Sequence, residues 1–123
     1  MSHIVQIETE VRDAAAVKAA CIRLQLPAPE HKTVRLFSAT ATGLCVELPG
    51  WRYPVVCNLL TGQIQLDNYG GHWGAQAELN KFMQAYGVEK AKIEARKKGH
   101  LAYETAQEDG SIKVTVHVRG GSR

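Results

Sequence analysis

Residues 53 to 74 read Tyr53-Pro-Val-Val-Cys-Asn-Leu-Leu-Thr-Gly-Gln-Ile-Gln-Leu-Asp-Asn-Tyr-Gly-Gly-His-Trp-Gly74. The apolar run from Val55 to Leu60 is typical of a buried strand, and Thr61-Gly62 supplies a turn before the alternating Ile64 and Leu66. A glycine-rich aromatic loop follows this predicted hairpin and leads into the longest helix that the sequence can form. The segment therefore joins the predicted sheet core to a helix, so both kinds of element belong to one fold.

Two elements are predicted before this segment. Residues 4 to 11 alternate apolar and polar side chains, as a half-buried strand does. Asp13 has the side chain of a helix N-cap, and apolar positions then recur at helical spacing from Ala14 to about Gln25. Pro27 ends this predicted first helix.

The region from Lys32 to Asn68 changes to a period of two, which indicates strands. Four strands are predicted here, with turns at Thr42-Gly43, Pro49-Gly50 and Thr61-Gly62. Connections of this length favour an antiparallel meander.

A second helix is predicted from about Ala75 to Lys98. Its apolar side chains fall within one stripe that would pack on the sheet. The stripe consists of Leu79, Phe82, Met83, Tyr86 and Ile93. Beyond this helix, Asp109-Gly110 predicts the turn of a last hairpin, because apolar residues alternate on either side of it.

The predicted order β-α-β-β-β-β-α-β-β indicates an α+β fold. It favours one antiparallel sheet of about six to seven strands with both helices on a single face. Residues 1–119 are predicted to form one domain, and residues 120–123 a frayed tail.

Composition places the chain among ordinary globular proteins. It has 123 residues, of which 45% are hydrophobic and 22% charged. No apolar run approaches the roughly 20 residues that span a bilayer, and the start lacks the features of a secretory signal. These observations predict a cytoplasmic protein without a membrane partner. The net charge of +3 permits an acidic partner without requiring one.

The metal-ligating residue types show no spacing that indicates a metal site. The three cysteines, Cys21, Cys45 and Cys57, form no Cys-x-x-Cys pair, so neither a disulfide framework nor a zinc site is predicted. They are expected to be small buried hydrophobes. The five histidines are scattered and form no His-x-x-x-His pair. No metal and no cofactor is predicted.

A set of short motifs in a fixed order resembles a known family. The set comprises Met1-Ser2-His3, Ile7, Thr9, Arg12 and Asp13, then Tyr53, Gly62 and Asp67, and finally Glu108-Asp109-Gly110-Ser111-Ile112. Their order and spacing resemble the family of hypothetical chloroplast open reading frame thirty-five, whose plastid and bacterial members are small single-domain proteins of unknown function.

The resemblance implies an accessory role and no catalytic residue. Bacterial genes of that family often lie near genes of AAA-type ATPases, so the resemblance suggests such an ATPase as a protein partner. This chain has Tyr53-Pro54-Val55-Val56-Cys57 where the family has a strand of the Tyr-Asp-Ile-Gly-Phe type. A role tied to that aspartate does not carry over.

The loop before the second helix is the first candidate site. It comprises Asp67, Asn68, Tyr69, Gly70, Gly71, His72 and Trp73. In one interpretation the glycine amides and the helix N-terminus bind an anion or a small molecule, with His72 as an acid or base. In the other the glycines permit positive φ in a strand-to-helix corner, while Tyr69 and Trp73 cover the core edge. A concave pocket would favour a ligand site, and a tryptophan that fills the corner would favour a structural role.

The basic end of the second helix is the second candidate site. Its cationic residues are Lys92, Arg96, Lys97 and Lys98. They predict either a nucleic-acid surface or an ordinary solvated helix, because Glu89 and Glu94 dilute the positive charge.

No catalytic motif occurs in the sequence, which argues against an enzyme without deciding the question. The function predicted first is therefore a non-catalytic cytosolic interaction or accessory protein with a protein partner. A nucleic-acid-binding module and a small-molecule or anion site are the alternatives. Edge strands also leave a homodimer by sheet extension open.

Overall fold

The computed structural model describes residues 4–7 and 10–118. Its elements run β1 (Ile4–Ile7), α1 (Ala14–Arg23), β2 (Glu30–Arg35), β3 (Thr40–Val46), β4 (Val55–Asn58), β5 (Gln63–Asp67), α2 (Gln76–Lys97), β6 (Leu101–Ala106) and β7 (Ile112–His117). The predicted α+β class and element order are confirmed. Residues 1–3 of the family motif, Thr9 and the predicted tail at 120–123 lie outside the described residues.

The strands form two sheets, so the prediction of one sheet of six to seven strands is wrong. Five antiparallel strands follow the order β1-β5-β4-β3-β2, while β6 and β7 pair only with each other. The reason lies at the end of α2. There the amide of His100 donates to the carbonyl of Ala95 at 2.9 Å, and Gly99 takes a φ of 75°. The chain thus turns back onto α2, and the last hairpin packs against that helix.

Both helices cover the same face of the five-stranded sheet. One buried core joins Val17 and Cys21 of α1 and Phe82 of α2 to sheet residues such as Val55 and Ile64. Asp13 caps α1, because its carboxylate accepts the amides of Ala15 and Ala16 at 2.9 and 3.3 Å. The predicted stripe of α2 also faces this core, with Met83 and Ile93 at its partly buried margin.

The turn predicted at Thr42-Gly43 is wrong. Both residues lie inside β3, and the chain instead reverses at residues 36–39, where the Leu36 amide donates to the Ala39 carbonyl at 2.7 Å. Gly43 serves packing, because a Cβ at this position would collide with the carbonyl oxygen of Cys57 on β4. Neither described helix is long and apolar enough to cross a bilayer.

Ion pairs among four charged side chains link the last hairpin to the helices. Arg23 of α1 holds Glu104 of β6 through two hydrogen bonds of 2.6 and 3.0 Å and also contacts Glu89 of α2 at 3.0 Å. Lys92 of α2 donates to Glu104 at 2.6 Å. The hydrogen bonds from Arg23 and Lys92 lower the pKa of Glu104 from its ordinary value of 4.5 to about 2. This charge cluster thus joins three elements at one carboxylate.

Replacement of that carboxylate is expected to loosen the hairpin. We expect Glu104→Gln to lower the free energy of unfolding at neutral pH by about 1–3 kcal/mol, because charge-assisted hydrogen bonds are lost from a partly exposed site. Since the folded pKa is depressed, the contribution of Glu104 is complete above pH 4.5 and is lost as the pH falls toward 2. Urea unfolding of both proteins across this pH range measures the difference.

A matched control is Lys97→Ala, which removes a more exposed ion pair with Glu94 at 3.5 Å. We expect no measurable change in the free energy of unfolding from it, because solvent screens a surface ion pair. A Glu104→Gln difference that stays constant from neutral pH down to pH 2 would contradict the role of the carboxylate.

Candidate functional site

The loop between β5 and α2 is bonded mainly to itself. After Asp67 it forms a short 3-10 turn over Tyr69–Gly71, and the carbonyl of Asn68 accepts the amides of Gly71 and Trp73 at 3.0 and 2.9 Å. The amide of His72 donates to the carbonyl of Tyr69 at 3.0 Å. These three amides already have acceptors, so the loop resembles a corner more than a cradle for an anion.

Positive φ angles in this loop fit the same interpretation. Gly71 has a φ of 99°, which glycine adopts without strain, whereas Tyr69 has a φ of 48°, which is uncommon for a residue with a side chain. Such a conformation persists only where surrounding contacts hold it. Here the ring of Tyr69 stacks on that of Trp73, with centroids 4.7 Å apart and planes 25° apart.

Trp73 is the centre of a group of aromatic side chains, which we call the aromatic cluster: Phe37, Tyr53, Tyr69 and Trp73. The ring centroids of Phe37 and Tyr53 lie 5.1 and 5.8 Å from that of Trp73, in tilted and edge-on orientations. Trp73 thus fills the corner, the arrangement that favours a structural role for the loop over a small-molecule pocket. His72 contacts Tyr69 at 5.1 Å between centroids and is exposed.

The guanidinium of Arg52 lies against the aromatic cluster. Its central carbon is 4.8 Å from the ring centroid of Trp73 and 5.6 Å from that of Tyr53. Its backbone amide also donates to the carbonyl of Trp73 at 2.8 Å. Within the described part of the chain, Arg52 forms no ion pair with a carboxylate. A stacked guanidinium keeps the hydrogen-bonding edges of its plane available, which suits it to planar anions.

Arg52 also borders a cleft of about 360 Å³ between β2 and the residues that connect β3 to β4. We call it the basic cleft. Its lining includes the cations of Lys32, Arg35 and Arg52, the carboxylate of Glu47, and apolar groups of Val34, Trp51 and Tyr53. Cations thus exceed carboxylates three to one, although Lys32 already has an ion pair with Glu30 at 3.4 Å.

One wall of the cleft is fixed to the start of α2. The indole N–H of Trp51 donates to the carbonyl of Ala75 at 3.1 Å. A Cβ on Gly74 would collide with the indole ring of Trp51, so only glycine permits this approach. The position of Trp51 therefore depends on the same corner that holds Trp73.

Asp67, the last residue of β5, is fully buried. Its Oδ2 accepts the backbone amide of Phe37 at 3.2 Å, and its Oδ1 has no hydrogen-bond partner among the described residues. Burial of a carboxyl group with an unpaired oxygen costs free energy, so its presence here requires an explanation. The hydrogen bond from the Phe37 amide to Asp67 fixes the turn that carries Phe37. Asp67 therefore helps to position the aromatic cluster.

The basic end of α2 is partly neutralised. Lys92 belongs to the charge cluster, and Lys97 lies 3.5 Å from the carboxylate of Glu94. Arg96 and Lys98 are exposed to solvent. Two of the four predicted nucleic-acid contacts are thus engaged with carboxylates, which weakens the case for a phosphate-binding surface.

The cysteines are buried, as their residue type and spacing predict. Burial raises the pKa of the Cys21 thiol to about 11 and that of Cys57 to about 12, so both remain protonated and unreactive at neutral pH. Among the residues with described positions, no three His, Cys, Asp or Glu side chains gather as metal ligands.

Phe37 and Arg52 belong to this site but are not among the candidate residues predicted from the sequence. Phe37 lies more than thirty positions from Trp73, and nothing in its local pattern marks a ring contact. Arg52 did carry a signal, because Trp51-Arg52-Tyr53 places a cation between two aromatic residues just after the Pro49-Gly50 turn. Such a triplet in a loop is a candidate for cation–π stacking.

Removal of the buried carboxyl group is expected to free Phe37. We expect Asp67→Ala to lower the free energy of unfolding by about 1–3 kcal/mol, because the Phe37 amide loses its acceptor. The near-ultraviolet circular dichroism of the aromatic cluster should weaken with it. Asp67→Asn retains an oxygen acceptor and should lose less. Equal stability of Asp67→Ala and the unaltered protein would show that this contact is dispensable.

Comparisons of the chain with models of protein families, with curated proteins and with solved structures find no match. The family resemblance therefore stays a prediction from short motifs. The function of the protein has to be inferred from the geometry of the aromatic cluster and the basic cleft.

Proposed function

We propose that this protein is a non-catalytic interaction protein that binds an acidic segment of a protein partner in the basic cleft. One observation carries the proposal. The guanidinium of Arg52 is stacked on Trp73 at the edge of the cleft and has no carboxylate partner among the described residues, while Lys32 and Arg35 line the same cleft.

The stacking of Arg52 supports recognition of carboxylates. An arginine side chain that is free in solvent loses rotamer entropy when it binds, and contact with an aromatic face removes part of that loss beforehand. Its guanidinium edge then matches the two oxygens of an Asp or Glu side chain in a bidentate pair. Arginine, tryptophan and tyrosine are also the residues that most often dominate the binding energy of protein interfaces.

Exposed aromatic area next to these cations supports a protein partner over a bare anion. The side chains of Phe37 and Tyr69 are 51% and 40% exposed. Clustered apolar exposure of this kind on a folded domain typically marks an interaction surface. A partner segment that combines acidic residues with an apolar anchor would use both the basic cleft and the aromatic cluster.

The cytosol is the proposed location, and an AAA-type ATPase is the proposed first partner to examine. Three free, buried cysteines are compatible with a reducing compartment. The proposal of an ATPase partner rests on the family resemblance alone. If such an ATPase binds in the basic cleft, the segment that contacts the cleft should be acidic.

The acidic segment is favoured over nucleic acid because the cleft offers few cations to a phosphate backbone. Lys32, Arg35 and Arg52 line it, and Lys32 is already paired with Glu30, whereas affinity for nucleic acid rises with the number of phosphates that Lys and Arg neutralise. The separate basic surface at the end of α2 has lost Lys92 and Lys97 to ion pairs.

Selection from a display library of random peptides tests the proposal. We expect the immobilised protein to enrich peptides rich in Asp and Glu. Arg52→Ala should weaken the most strongly enriched peptide by about thirtyfold, because a central interface arginine contributes about 2 kcal/mol or more. Fluorescence anisotropy of the labelled peptide measures this change.

The matched control is Arg96→Ala, which removes an exposed arginine from α2 that does not line the basic cleft. It should leave peptide affinity within about twofold. Enrichment of basic or uncharged peptides, or equal binding by Arg52→Ala, would sink the proposal. Binding of single-stranded nucleic acid that Arg96→Ala abolishes would favour the nucleic-acid alternative instead.

A further inference from the structure

The basic cleft lies beside an open edge of the five-stranded sheet. β2 is the last strand in the order β1-β5-β4-β3-β2, and no described strand pairs with its outer side. It is six residues long, and all of its side chains except that of Val34 are exposed. Lys32, Val34 and Arg35 of β2 also line the basic cleft. Any chain that followed this edge would therefore run along the cleft.

The hydrogen-bonding groups that β2 presents at this edge follow from its register with β3. The strands pair from Glu30↔Cys45 to Arg35↔Thr40, and the next pair, Leu36 and Ala39, shares a hydrogen bond of 2.7 Å. Hydrogen-bonded and non-hydrogen-bonded pairs alternate along an antiparallel ladder. The alternation makes Arg35, Thr33 and His31 members of non-hydrogen-bonded pairs.

The side chains of one such pair agree with this assignment. The hydroxyl oxygens of Thr33 and Thr42 lie 2.6 Å apart, and cross-strand side chains approach most closely in non-hydrogen-bonded pairs. The N–H and C=O groups of His31, Thr33 and Arg35 consequently point away from β3, toward the open edge. The edge thus presents three N–H donors and three C=O acceptors at the spacing that an added strand requires.

We propose that the acidic partner segment binds as an added strand on β2, with its alternate side chains reaching into the basic cleft. This inference rests on the proposed function of the cleft and adds the mode of binding. Main-chain hydrogen bonds to His31, Thr33 and Arg35 provide affinity that is independent of sequence, and side chains beside Lys32 and Val34 provide specificity.

Charge makes an acidic segment a better occupant than a second copy of this chain. β2 carries Lys32 and Arg35 against the single carboxylate of Glu30, and cross-strand pairs of opposite charge are favourable by roughly 0.2–1 kcal/mol. An acidic strand complements this excess of positive charge, whereas a second copy of β2 brings the same excess with it. Such charged edges generally discourage self-association.

Substitution of Thr33 separates strand addition from other modes of binding. Thr33→Pro removes an outward N–H that takes no part in the ladder with β3, so proline is tolerated at this edge position. We expect it to weaken the selected acidic peptide by about tenfold, since one backbone hydrogen bond and the geometry of its neighbours are lost. Thr33→Ala, which removes the hydroxyl group and keeps the N–H, should bind as the unaltered protein does.

Amide hydrogen exchange on the unaltered protein gives an independent measurement. Peptide binding should slow exchange at His31, Thr33 and Arg35, and leave Lys32 and Val34, already bonded to β3, unchanged. Loss of affinity in Arg52→Ala without protection of those three amides would overturn strand addition and leave the cleft as the site. Absence of acidic-peptide binding altogether would overturn both proposals, and a dimer of the protein alone that Thr33→Pro abolishes would replace the peptide by a second copy.

Discussion

The two described helices cover only one face of the five-stranded sheet. The structure of the other face follows from the lack of helical cover there. On the covered face, α1 and α2 pack a continuous apolar core against alternate residues of β3, β4 and β5. On the opposite face lies a second, smaller core of Leu36, Ala41, Cys45 and Val56, and neither of the two described helices covers it. Local turns have to shield these apolar side chains from water, because their exposure would cost free energy.

Tyr53 of the aromatic cluster, together with Val34, packs against this second core and helps to shield it. The turn at residues 36–39 carries Phe37, and the corner after β5 carries Trp73, whose ring Phe37 meets at 5.1 Å between centroids. Aromatic side chains are suited to shielding a core, because each covers a large area from a short loop. Phe37 and Tyr69 of the same cluster remain partly exposed, so a group of rings with a structural role also presents apolar surface to water.

Charges on the molecule divide into two groups with different roles. Arg23, Glu89, Lys92 and Glu104 satisfy one another and fasten the last hairpin, whose own apolar contacts are few. Arg52 and Arg35 have no carboxylate partner among the described residues and border a cleft. Net charge does not distinguish these groups, since it sums paired and unpaired residues alike. The basic end of α2 is dense in lysines, yet Lys92 and Lys97 are paired with carboxylates.

Periodicity predicted the helices well, because α1 and α2 each present one apolar stripe and Asp13 has the local chemistry of a cap. It failed where the decisive contact is distant in sequence. Gly43 looks like a turn residue until the carbonyl of Cys57 is known to lie against it, and the last hairpin looks like part of the sheet until α2 is known to take it. The glycines between Asp67 and Trp73 predict the corner from the sequence. Its contact with Phe37 becomes visible only in the tertiary structure.

The chain contains two tryptophans, and the structure places both at this one region. Trp51 lines the basic cleft, Trp73 centres the aromatic cluster, and Arg52 lies between them in sequence and stacks on the second. Indole emission depends on nearby charges and on contact with water, so the tryptophan fluorescence of this protein originates at the candidate site. The molecule carries its own optical reporter of occupancy there, without any label.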